Sequence, residues 1–99
     1  MYVFREVLQC KPGKVGELRK KFQALNGLLE QLGHEPFQLM TDAMGENFWT
    51  LVLESRASSV EEFLAMEEKV MGEEQARQIM HGYHDLVTGG RREVFRLVE

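Results

Sequence analysis

The chain has 99 residues, 43% of them hydrophobic and 28% charged, with a formal net charge of −4 at pH 7. That length allows one domain, residues 1–99, with about 65% of the unfolded surface buried. The acidic balance argues against nucleic acid as a partner, and no stretch approaches the ~20 apolar residues that a membrane span needs.

Cys10 is the only cysteine, so no internal disulfide can form. Arg5 and Glu6 place charge within the first six residues, which does not suit a secretory signal. The expectation is a cytoplasmic protein.

Residues Tyr2 to Cys10 read as a first strand, rich in aromatic and β-branched side chains. One face carries Tyr2, Phe4, Glu6, Leu8 and Cys10, and the other Val3, Arg5, Val7 and Gln9. Neither face is simply polar, so both are expected to be at least partly covered. Lys11-Pro12-Gly13-Lys14 then stops the strand and opens a helix, with Pro12 in its first turn. Val15, Leu18, Phe22, Leu25, Leu29 and Leu32 follow at spacings of three and four, one continuous apolar stripe that Gly33 terminates. The basic cluster Arg19, Lys20 and Lys21 on this helix reads as a solvated face.

Pro36 leads into a second strand, about Phe37 to Ala43. Gly45-Glu46-Asn47 is a turn, and Phe48 to Glu54 reads as a third, strongly apolar and therefore central strand. Ser58 and Ser59 each precede a glutamate by three residues, a capping-box spacing that starts the second helix. Gly72 interrupts that helix, and Ala76, Ile79, Met80, Tyr83 and Val87 resume a helical spacing to about Leu86. Thr88-Gly89-Gly90 ends it, with Arg91 and Arg92 as charge beside a turn, and Glu93 to Val98 forms the last strand.

The order βαββαβ, joined by right-handed crossovers, predicts an antiparallel sheet of order 4-1-3-2 with both helical segments on one face. Its other face has no covering element, yet the strands carry apolar residues there too. A second copy of the same sheet is the simplest cover, so a homodimer is expected.

Three short motifs carry a family likeness. Tyr2-x-x-Arg5-Glu6, Lys11-Pro12-Gly13-Lys14 before the first helix, and Gly45-x-Asn47 before an apolar strand resemble the NIPSNAP family. The resemblance implies an α+β, ferredoxin-like βαββαβ sandwich that pairs into a dimeric α+β barrel. That superfamily includes cofactor-independent monooxygenases, isomerase- and dehalogenase-like enzymes, haem-degrading proteins and stress-induced proteins, so fold alone does not choose a function. The first strand is one residue longer between Arg5 and Lys11 than the family pattern, which implies a bulge or a changed register and leaves the face of Arg5 open.

The candidate ligand-binding residues are Arg5, His34, Trp49, Glu54 and Tyr83. Arg5, Glu6 and Glu54 are charges within covered strands, and each must find a partner, an edge or a wet cavity. Arg5 with Glu54 suits a structural pair or the polar floor of a pocket. Trp49 suits core packing or an indole aimed at a ligand. His34, after the first helix, lies where a loop residue can approach a cleft between helices and sheet. His81 and His84, three apart on an expected helix, lack a third ligand, so no metal is expected, and no cofactor either. Cys10 stands beside Lys11, whose charge would lower the thiol pKa, but no histidine partner is near in sequence. Three functions compete: binding of a small organic molecule in the cleft, a cofactor-independent monooxygenase or isomerase in the same cleft, and an interaction or stress-response module without a ligand.

Overall fold

The computed structural model describes residues 1–98. Strand β1 (Tyr2–Cys10) leads to helix α1 (Val15–Gln31), strands β2 (Gln38–Thr41) and β3 (Thr50–Ala57), helices α2 (Val60–Met71) and α3 (Glu74–Met80), a 3-10 turn at Tyr83–Asp85, and strand β4 (Val87–Arg96). The sheet is antiparallel in the order β2-β3-β1-β4, which is the expected 4-1-3-2 read from the other edge.

Leu18, Phe22, Leu25 and Leu29 of the α1 stripe are buried, with Leu28 beside them, and Val15 and Leu32 at its ends are partly buried. Their core continues into Cys10, Leu51 and Leu53 of the sheet and Val70, Ala76 and Met80 of α2 and α3. A second cluster joins Phe4, Ala57 and Phe63, with the Phe4 and Phe63 rings stacked 4.2 Å apart. The helices therefore cover the sheet face that carries Phe4, Glu6, Leu8, Leu51 and Leu53. The alternation of the pleat puts Val3, Arg5, Val7, Val52, Glu54 and Phe95 on the opposite face.

The two helix signals with a cap mechanism are realised. Gly33 takes φ 82°, its N–H donates to Glu30 O at 3.1 Å, and the next N–H, of His34, donates to Leu29 O at 2.8 Å. That is a Schellman ending. Ser59 Oγ accepts from the Glu62 N–H at 3.0 Å, while the Glu62 carboxylate accepts from the Ser58 N–H at 3.0 Å.

Helix α1 starts at Val15, where its apolar stripe begins, but Pro12 lies outside it, because Lys11-Pro12-Gly13 forms a turn closed by the Lys14 N–H on Lys11 O at 3.0 Å, with Gly13 at φ 79°. Four boundaries differ from expectation. Strand β2 is the short segment Gln38–Thr41. Strand β3 starts at Thr50, so Phe48 and Trp49 belong to the preceding loop, and Trp49 has φ 63°. Helix α3 stops at Met80, and His81-Gly82 turns the chain, with Gly82 at φ 82°. His81 and His84 thus share no helix, and among the described residues no group of three potential ligands could hold a metal.

The last difference is the largest. Strand β4 begins at Val87 and takes in the Gly89-Gly90 pair, because these residues lie against Gln9 and Leu8 of β1. A Cβ on Gly90 would sit 3.0 Å from both Leu8 Cδ2 and Val7 O, so glycine lets the strands approach. The register between β1 and β4 slips at Gln9/Cys10, but the unpaired residue is Thr88 of β4; β1 runs against β3 without a break from Tyr2 to Gln9, so the bulge expected in β1 is absent. Among the described residues, no helix is long and apolar enough to cross a membrane.

Candidate functional site

The helices do not close fully onto the sheet. Between them lies a cleft of about 470 Å³. Glu6, Leu8 and Leu53 form its floor, Phe22, Leu25 and Leu29 of α1 one wall, and Phe63, Met66 and Val70 of α2 the other. Leu64 and Met71, both well exposed, stand on the rim, and Met80 and Tyr83 close one side. The walls follow directly from helical periodicity: positions 22, 25 and 29, and 63, 66 and 70, recur at three and four.

Four charged residues, Glu6, Glu67, Glu68 and Arg92, interrupt this apolar lining. Glu6 projects from the floor because it shares a strand face with Phe4 and Leu8. Its carboxylate accepts from Arg92 Nε, and Arg92 Nη2 donates to Glu67 Oε2 at 2.5 Å. The Arg92 guanidinium also lies 5.2 Å from the Phe63 ring centroid, a cation–π distance. Arg92 therefore ties β4 to β1 on one side and to α2 on the other.

Burial pushes the Glu6 carboxyl above its ordinary pKa. The hydrogen bond and charge of Arg92 pull it back only in part, and the Glu67 carboxylate adds repulsion. A half-buried acid held this way is suited to accept a hydrogen bond or a proton from a guest in the cleft.

Of the five residues singled out from the sequence, Tyr83 lines the cleft. Arg5 and Glu54 lie on the opposite face of the sheet, paired with each other through Arg5 Nε and Glu54 Oε1 at 2.7 Å. Arg5 also stands 5.3 Å from the Phe95 ring. Trp49 sits in the β2–β3 loop, 43% exposed, where its carbonyl accepts the Cys10 N–H at 2.8 Å. His34 lies just after the C-terminal end of α1, outside the cleft lining, with Nε2 buried and without a hydrogen-bond partner among the described residues. Cys10 is 2% exposed, and burial raises its thiol pKa, with Asp42 adding to the effect, opposite to the lowering expected from Lys11.

Sequence reasoning named Glu6 as a charge needing a partner but did not place it in the site, and it missed Arg92 and Glu67. Alternation along β1 was the available signal for Glu6. Arg92 gave none, because the Gly-Gly pair before it suggested a turn where the strand continues.

No family model matches this sequence, and no curated relative does. Solved structures match the fold along nearly the whole chain. A NIPSNAP family protein from Agrobacterium tumefaciens superposes with a TM-score of 0.82 at 12% identity, covering 99% of this chain and 93% of the other. An uncharacterised NIPSNAP domain protein from Burkholderia xenovorans gives 0.80 at 16% identity, covering 99% and 95%. An antibiotic biosynthesis monooxygenase-like protein from Nitrosomonas europaea gives 0.74 at 13% identity, covering all of both chains. The chain thus has the ferredoxin-like α+β fold that NIPSNAP proteins share with monooxygenase-like relatives.

Proposed function

We propose that this chain is a NIPSNAP-like homodimeric protein that binds a small organic molecule in the cleft between helices and sheet. The cleft carries the reading. At about 470 Å³ it falls within the usual range for small-molecule sites, and it is apolar with one convergent polar group, Glu6-Arg92-Glu67. The dimer draws on the opposite sheet face, where Val52 is partly exposed and Met40 and Phe95 are 36% and 48% exposed. An apolar face of that kind fits an isologous contact with a second copy.

Nile red, a neutral dye that brightens on leaving water, tests the cleft. Saturable binding to the folded protein, weakened by Leu64→Trp at the rim, is the expected result. A dye signal that never saturates, or one that the rim substitution leaves unchanged, would overturn the reading.

A second reading, a cofactor-independent monooxygenase or isomerase in the same cleft, draws support from the raised pKa of Glu6 on the cleft floor. Under that reading Glu6 is the proton acceptor, and Glu6→Gln would abolish turnover even at saturating substrate.

A further inference from the structure

The polar end of the cleft is not electrically balanced. Glu6 and Glu67 share a single guanidinium, and among the described residues Arg92 is the only basic one in the lining. Two carboxylates and one guanidinium leave a formal charge of −1, and Glu68 on the rim adds another negative group. Each carboxylate spends one oxygen on Arg92. Among the described residues, no hydrogen bond engages Glu6 Oε2 or Glu67 Oε1.

Both residues line the cleft, so a head group at this end has carboxylate acceptors to meet. An ammonium can donate to both, and it neutralises the excess charge. A carboxylate meets two like charges, and although Arg92 spends only two of its five N–H donors, its single positive charge is already shared by Glu6 and Glu67. The chain's own cation marks the preference, because the Arg92 guanidinium is held between the carboxylates and over the Phe63 ring, 5.2 Å from its centroid. The rest of the guest faces Phe22, Leu25, Leu29 and Val70, which offer it nothing but apolar contact.

Building on the cleft reading above, we infer that the cleft selects an apolar molecule carrying an amine, with the ammonium held by Glu6 and Glu67, and rejects the corresponding acid.

Three compounds with one body and three heads test this: 4-phenylbutylamine, 4-phenylbutanol and 4-phenylbutyrate. Affinity is read by calorimetry on the full-length protein. Location is read by the methyl resonances of labelled methionines, since Met66, Met71 and Met80 line the cleft and Met1, Met40 and Met44 do not. The expected order is amine, then alcohol, then acid, with the amine about tenfold or more tighter than the acid. Glu67→Gln on the outer helix should bring the amine and acid closer together. If that variant does not fold, raising the salt concentration should narrow the same gap in the native protein.

Equal affinities with the cleft methyls perturbed would overturn the amine preference and leave the cleft reading standing. Tighter binding of the acid would do the same. If no compound moves Met66, Met71 or Met80, both fall together.

Discussion

Arg5 Nε lies 2.7 Å from Glu54 Oε1, and the two residues stand directly opposite each other on β1 and β3. The pair occupies the sheet face that no helix covers, so its energetic role depends on what lies above it. In a monomer it is a half-exposed cross-strand pair contributing about 0.2–1 kcal/mol. In the proposed dimer it is covered, and a break in it leaves an unpaired charge inside an interface. Arg5→Glu, which sets two carboxylates opposite each other, should convert a particle of twice 11.5 kDa into one of 11.5 kDa by light scattering. The swap Arg5→Glu with Glu54→Arg should restore the larger mass. Wild-type protein running at 11.5 kDa at micromolar concentration would end the dimer reading.

The glycines of β4 give a paired prediction. Gly90→Ala forces a Cβ to within 3.0 Å of the Val7 carbonyl, a backbone atom that cannot rotate away. The substitution should destabilise the protein by about 1–3 kcal/mol. Gly89→Ala meets nothing within 4 Å, and it should be neutral or mildly stabilising. Urea midpoints of the two variants check this, and equal values would show that β1 and β4 are not packed as described.

Much of the fold was legible because its signals were periodic and local. The α1 stripe, the Gly33 ending and the Ser59 cap each depend on residues within a few positions of one another. The misread boundaries depend on longer reach. Phe48 and Trp49 continue an apolar run, yet the loop is held open by the Thr50 N–H on Asp42 Oδ1 at 2.9 Å and Thr50 Oγ1 on Asn47 O at 2.8 Å. Gly89-Gly90 signals a break to local reasoning, whereas contact with β1 makes it strand. The polar end of the cleft was the least legible part, since Arg92 meets partners 86 and 25 residues away.

Leu18 is fully buried in the main core and does not line the cleft. Leu18→Ala therefore leaves a void with no opening to solvent and should cost about 2–5 kcal/mol. Urea unfolding measures it directly. A loss below about 1 kcal/mol would mean that α1 packs on the sheet by a different face.

The last prediction uses the sign of the Glu6 shift. Burial raises its folded-state pKa above the ordinary 4.5, so the folded protein holds this proton more tightly than the unfolded chain does. Stability from this group is therefore greatest at low pH, and it falls as pH rises from the unfolded value through the raised folded value. Glu62 works the other way: its hydrogen bonds with Ser58 lower its pKa, and their benefit is lost as pH falls. Comparing wild type with Glu6→Gln removes the Glu62 contribution, which both proteins share. The amide mimics the protonated acid and does not titrate, so the variant should gain stability relative to wild type as pH rises from about 4 to about 7. Arg92, opposite it on β4, and Glu67 on α2 are the charged groups that act on Glu6, and both remain in the variant. A pH-independent difference between the two proteins would show that Glu6 is solvated in the folded state, and a difference of opposite slope would show that its ion pair with Arg92 outweighs its burial.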